Sequence, residues 1–188
     1  VMLARFLIMA SFGGTTTFAP LMLVRQQGLS LGTAGALLAL ASLGWSTGSF
    51  VQGRRALIGR GPELVAVGAL VATLGTALLT LNAATAAPSA LNALGLVVIG
   101  LGMGLGVTAT SVLALELAPA GGHAAASSAL QLSDVLGSVL GISLASALYA
   151  FALSGGWAGA STYPLVFAVM TLIAAGTVLV GRRIRPQG

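Results

Sequence analysis

The chain has 188 residues, of which 57% are hydrophobic and 6% are charged, and its mean hydropathy is +1.04. So few charges cannot coat a water-soluble globule, so the composition excludes an ordinary soluble domain and favours a membrane protein. The net charge of +5 does not predict nucleic-acid binding, because most arginines flank apolar runs rather than sharing a patch with aromatic residues. The absence of cysteine excludes disulfides and thiolate metal sites.

Six apolar runs follow one another along the chain, separated by short polar or Gly/Pro-containing breaks. Each is long enough to cross a hydrocarbon core of about 30 Å as a helix. The runs are continuous rather than alternating, which favours helices over a β-barrel. We therefore predict an all-α membrane protein with membrane-spanning helices at Leu3–Val24, Leu31–Val51, Pro62–Leu81, Ser89–Leu117, Ala124–Leu153 and Pro164–Val180.

Residues typical of helix ends separate these spans. Ser30 is suited to cap the second helix, and Gly61, Pro62 and Glu63 place a proline and an acid in the first turn of the third. Pro119 and the glycines after it end the fourth. The fourth and fifth spans exceed the core thickness, so we expect them to tilt or to extend beyond it.

The arginines predict the orientation, because positive residues are retained in the cytoplasm. An even number of helices places seven of the eight arginines on one side, with Arg5 counted at the start of helix one and only Arg25 opposite. This distribution predicts that both termini are cytoplasmic. We expect Glu116, at the end of helix four, to pair there with Arg54 or Arg182.

A shift of 93 residues aligns Ala36–Gly48 of helix two with Ala129–Gly141 of helix five, including two glycines spaced four apart in each. The offset is close to half the chain. It predicts a single six-helix domain over 1–188, built from two three-helix inverted repeats at about 1–85 and 86–188.

Two glycine motifs have alternative interpretations. The segment from Gly44 to Gly48 matches a serine-hydrolase G-x-S-x-G motif, but it lies inside an apolar helix and the only histidine, His123, is predicted in a loop. The glycines at 100, 102, 104 and 106 suggest a phosphate loop, yet no strand precedes them. We interpret both as surfaces for close helix packing and predict no enzyme activity, cofactor or metal.

Asp134 is the strongest functional candidate. It lies about ten residues into helix five, some 15 Å along its axis and near the expected bilayer midplane. A carboxylate there needs a wet cavity or a partner, and it is suited to carrying a proton. With Asp134, three residues at helical spacing form a stripe that we expect to face the bundle interior: Ser127, Gln131 and Ser138. A structural hydrogen bond between helices is the alternative.

Helix one contains Thr15, Thr16 and Thr17 after two glycines, and then Pro20. Broken helices mark binding sites in transporters, and a simple proline kink fits the same sequence.

The chain resembles the C-terminal half of a major facilitator superfamily transporter over essentially its whole length, with strings similar to the drug:proton antiporter (multidrug efflux) branch. The resemblance lies in Arg25–Ser30 with Ala34–Gly35, in Leu43–Arg54, and in Ala126–Gln131. The family's cytoplasmic loop motif is degenerate here, with Gly48, Gln52, Arg54 and Arg55 at its positions and glutamine in place of the aspartate.

The resemblance implies a larger transporter in which this half packs against another six helices and binds a small amphipathic or hydrophobic solute between them. It also implies that helices one, two, four and five face the central cavity. We expect a multi-pass protein of the cell membrane whose partners are lipid, solute, possible coupling protons, and an N-terminal half in cis or a second copy in trans. A non-transporting six-helix assembly module or a homodimerising half-transporter is the alternative.

Overall fold

The computed structural model describes residues 1–54, 57–85, 88–155 and 162–184. These residues form α-helices and no strand. All six helices are long and apolar enough to cross a membrane, so the chain is a multi-pass membrane protein. The helices are α1 (Met2–Arg25), α2 (Leu31–Gln52), α3 (Gly61–Thr85), α4 (Ser89–Glu116), α5 (His123–Ser154) and α6 (Thr162–Arg182).

The predicted spans and helix starts agree with these bounds to within a few residues. Ser30 caps α2, because its side chain accepts a hydrogen bond from the backbone N–H of Thr33 at 3.1 Å. Glu63 lies in the first turn of α3. The longest helices are α4, with 28 residues, and α5, with 32.

α1 and α4 form the centre of the bundle, and the other four helices lie on two faces around them. α1 packs mainly against α5 and α6, and α4 mainly against α3 and α2, while α1 and α4 also touch each other. α3 and α6 pack together on one face. α2 and α5 flank the other face without packing against each other.

Glycines allow α2 to approach α4 closely. A Cβ atom at Gly44 would overlap the carbonyl oxygen of Val97, and one at Gly48 would overlap that of Leu101. The predicted packing role of this glycine pair is confirmed. The two helices are therefore in contact through their backbones over about one turn.

The α5–α1 contact has the same geometry. A Cβ atom at Gly137 would overlap the carbonyl oxygen of Phe6, and one at Gly141 that of Ala10. Gly137 and Gly141 are the residues that the 93-residue shift aligns with the glycine pair of α2. Both helices thus use two glycines, four residues apart, to lie against carbonyl groups of a neighbour.

The glycine string of α4 packs on two sides. Gly100 and Gly104 meet backbone atoms of α2, and Gly102 and Gly106 lie against α3 near Gly68. Because alternate glycines lie on opposite sides of α4, this helix can pack closely against α2 and α3 at once. The close-packing interpretation of the string is confirmed.

Side-chain amides join the chain segments at the end of the bundle where α1 ends and α4 begins. Asn92 donates to Gln27 at 2.9 Å, Gln27 donates to Asn82 at 2.6 Å, and Asn82 donates to the carbonyl of Pro88 at 3.1 Å. Asn82 and Asn92 are completely buried. This chain of hydrogen bonds, which no sequence pattern indicates, ties α1, α3 and α4 together.

Candidate functional site

The most polar site inside the bundle surrounds Arg5. Its guanidinium donates two parallel hydrogen bonds to Asp134, from Nε to Oδ1 and from Nη2 to Oδ2, the latter at 2.8 Å. Nη1 donates to the Val107 carbonyl at 2.6 Å and to the hydroxyls of Thr110 and Ser111 at 3.1 Å each. One side chain of α1 thereby connects α4 and α5.

The two members of this ion pair differ in exposure. The Arg5 side chain is 9% exposed and that of Asp134 is 29% exposed. Because a guanidinium keeps its proton at any physiological pH, Arg5 is a permanent buried cation that depends on Asp134 for its counter-charge. Asp134 is the member that water or a proton can reach.

Asp134 is about 16 Å from the start of α5, about a third of the way along this helix of 32 residues. Its partner Arg5 also contacts Val107, Thr110 and Ser111 in the second half of α4. The ion pair therefore lies inside the bundle, in the half where α4 ends and α5 begins. Its place near the bilayer midplane stays a prediction.

Arg5 lies within α1, as the predicted span Leu3–Val24 has it, and is 7% exposed. Its hydrogen bonds to α4 and α5 replace water. Arg5 is therefore a member of the site, and the cytoplasmic side assigned to it stays a prediction.

The stripe predicted along α5 is only partly interior. Gln131 is exposed, and Ser127, Asp134 and Ser138 are half-buried. The buried row of α5 is the neighbouring one, which includes Leu130, Gly137, Gly141 and Ala145. Small residues allow the closest approach to α1, so they occupy the contact and the polar stripe lies at its border.

The three threonines of α1 lie in different surroundings. Thr15 is completely buried, and its hydroxyl has no hydrogen-bond partner among the described residues. Thr16 is half-buried and Thr17 exposed, and their hydroxyls donate to the carbonyls of Phe12 and Gly13 at 2.8 Å. α1 remains helical through Pro20, so the helix is not broken there.

A cleft of ≈ 420 Å³ lies between α1 and α2. Phe12 and Trp45 meet there edge to face, with ring centroids 5.4 Å apart. Thr16, Ser42 and Ser46 add hydroxyl groups to the lining, with no charged side chain among the lining residues. This combination of rings and hydroxyls suits an uncharged or weakly polar part of a ligand.

The residues of the degenerate loop motif do not form one cluster. Gly48 is buried against α4, and Arg54 lies 5.7 Å from the centre of the Phe50 ring. Gln52 borders a cleft that also contains Glu116. Arg55 lies outside the described residues.

The expected pairing of Glu116 is not found. No ion pair joins it to Arg54, to Arg182 or to any other arginine in the described part of the chain, and its side chain is exposed. Water solvates an exposed carboxylate at a helix end, so a partner is not required. Arg60 pairs instead with Glu63, at the start of α3. His123 is the first residue of α5 rather than a loop residue.

The predicted site residues did not include Arg5, Thr110, Ser111 or the aromatic pair at the cleft. A signal for Arg5 was present: an arginine inside an apolar span needs a counter-charge, and Asp134 is the one carboxylate of the sequence far from a predicted helix end. Over residues 1–54, 57–85, 88–155 and 162–184, no three His, Asp or Glu side chains come together as a metal site would require.

No protein-family model matches the chain, and no curated protein is significantly similar to it.

Proposed function

We propose that the chain is one half of a secondary active transporter of the cell membrane, with both termini in the cytoplasm. It exports a small amphipathic or hydrophobic solute by alternating access, and a second six-helix half, in cis or in trans, completes the pathway. The superfamily resemblance of the sequence supports this proposal. Under this proposal the chain is not an enzyme.

The observation that carries the proposal is the unequal burial of the helices. In their most apolar stretches, α1 and α4 have 61% and 67% of their residues buried, whereas α2 and α5 have 22% each. Ser46 of α2 and Gln131 of α5 are exposed beside apolar residues such as Leu43 and Val139. This mixture of polar and apolar groups fits a pathway for an amphipathic solute between two halves.

The paired glycine contacts support an inverted repeat. Exchanging the helix sets 1–3 and 4–6 converts the contact of Gly44 and Gly48 with α4 into that of Gly137 and Gly141 with α1. The exchange also relates Gly104, which lies against Trp45, to Gly13, which lies against Ser138. Two units related in this way are typical of transporters that rock around a site at the repeat interface.

Proton coupling is proposed at Asp134. When its carboxylate binds a proton, the buried Arg5 cation loses its counter-charge, and the paired state is no longer favoured over states in which α1 and α5 separate or admit water. Loss of the proton restores the pair. In this scheme Asp134 both binds the proton and holds α1 to α5 through Arg5, so proton binding and helix movement are linked.

The solute class follows from the cleft between α1 and α2. Its aromatic pair and hydroxyls can accommodate an apolar body with a few hydrogen-bonding groups. We place Thr16, which lines the cleft, and Asp134 with its stripe as separate parts of one pathway.

Transport in proteoliposomes tests the proposal. The full-length protein is reconstituted with a fluorescent amphipathic dye, and an imposed pH gradient should drive dye movement. Asp134→Asn should abolish the response to the gradient, whereas Glu63→Gln, an exposed carboxylate change, should preserve it. An unchanged pH-driven flux in Asp134→Asn would rule out the carrier role, and no flux of any dye in the wild type would count against transport.

The alternative, an assembly module or a homodimer of halves, draws on the same exposed face, because apolar residues of α2 and α5 could also bury against a second copy. Blue-native electrophoresis distinguishes it by particle size. A six-helix polypeptide that runs at twice its own mass, with no second half on its gene, would favour the alternative.

A further inference from the structure

A cleft of ≈ 570 Å³ lies on the opposite face, between α3 and α6, where α3 begins and α6 ends. Its floor is a close helix contact, because a Cβ atom at Gly181 would lie 3.1 Å from the Cα atom of Ala66. The α3–α6 cleft is therefore a groove between two packed helices, open on the side away from α2 and α5.

The mouth of the α3–α6 cleft is positively charged. Arg60, Glu63 and Arg182 border it, which gives one excess positive charge. The side chains of Arg60 and Glu63 are 58% and 61% exposed, so their ion pair is weak. Arg60 can therefore exchange Glu63 for an anionic ligand. Arg182 forms no ion pair within the described part of the chain.

The wall of the α3–α6 cleft is apolar. Val67 and Leu70 of α3 are 46% and 44% exposed, and Val178 of α6 lies across from them. From Ala66 to Leu70 the helix rises about 6 Å, which is less than half of one leaflet of a hydrocarbon core of about 30 Å. The groove therefore has a cationic opening followed by a short apolar wall, against which the first part of an acyl chain can lie.

We propose that the α3–α6 cleft binds one anionic phospholipid. Arg60 and Arg182 bind the phosphate group, for which guanidinium groups are suited, and an acyl chain lies along Val67 and Leu70. Clusters of arginine beside membrane-spanning helices recognise anionic lipids in this way. The proposal depends on the membrane location of the chain but not on transport.

Native mass spectrometry of the full-length protein tests the site. The protein is incubated with phosphatidylglycerol or with phosphatidylcholine carrying the same acyl chains, and the retained lipid is counted. Wild type should retain the anionic lipid preferentially. Arg182→Gln and Arg60→Gln should each lower its retention about five-fold, and Glu63→Gln should raise it, because it frees Arg60.

Matched controls show whether lipid retention depends on the α3–α6 cleft. Arg25→Gln, at the opposite end of the bundle, should leave retention unchanged, and circular dichroism checks that each variant is folded. Glycerol 3-phosphate at millimolar concentration should not displace the lipid, because it lacks the acyl chains. Equal retention of both lipids, an equal loss in Arg25→Gln, or displacement by glycerol 3-phosphate would overturn the proposal.

Discussion

The α5–α1 and α2–α4 contacts are packed alike but differ in their chemistry. In both, two glycines four residues apart lie against carbonyl groups of the neighbouring helix. Between α1 and α5 the bundle also contains the ion pair of Arg5 and Asp134, whereas α2 and α4 share a hydroxyl contact of 3.2 Å between Thr108 and Ser49. The glycine packing is therefore common to both contacts, whereas the buried ion pair is found only between α1 and α5 among the described residues.

The largest expected effect comes from removing the charge of Asp134. Asp134→Asn keeps the size of the side chain but leaves Arg5 buried without a counter-charge, so we expect unfolding free energy to fall by about 3–5 kcal/mol. Unfolding in mixed micelles with increasing denaturing detergent measures it. The double variant Arg5→Met/Asp134→Leu should recover most of the loss, and a double variant as unstable as the single one would contradict this account.

A smaller effect, equal in the two contacts, is expected from the glycines. Gly48→Leu and Gly141→Leu each force apart two backbones, and overpacking of this kind costs about 1–3 kcal/mol. Gly176→Leu on α6 is the control, because no heavy atom lies within 4 Å of a Cβ atom there. The same unfolding assay should rank the first two variants together, and a large difference between them would break the proposed equivalence.

The smallest effect is expected at the α2–α4 hydroxyl contact. Ser49→Ala removes the hydrogen bond that Thr108 donates to Ser49 and the long one, at 3.5 Å, that Ser49 donates to the carbonyl of Gly104. Both partners are neutral, and such bonds between membrane helices contribute about 0.6 kcal/mol each on average. The variant should therefore unfold almost like the wild type. A loss comparable to that of Asp134→Asn would show that the two contacts do not differ as described.

The helices were predictable because each apolar span is a local property of about 20 consecutive residues. Their ends were predictable for a similar reason, as Ser30 shows at the start of α2. The glycine repeat was also visible in sequence, because helices in close contact require small residues at a fixed spacing.

The partners within the site were not predictable in the same way. Arg5 and Asp134 are 129 positions apart, and periodicity along α5 cannot say which helix packs beside it. The stripe prediction took polarity as the sign of the interior, but backbone contact through Gly137 and Gly141 decides which row of α5 is buried. The amides of Gln27 and Asn82 likewise meet only through the fold.

The central claim is that the face flanked by α2 and α5 borders water rather than lipid. Because the chain has no cysteine, single cysteines can be introduced at Ser46, Gln131 and Leu172 in a full-length protein without other cysteines. A water-soluble maleimide reacts with the thiolate, which forms only where water is present. In membranes we expect the cysteines at Ser46 and Gln131 to be labelled and the one at Leu172, which is 70% exposed on α6, to remain unlabelled. Labelling at Leu172 alone, or equal labelling at all three positions, would contradict the account.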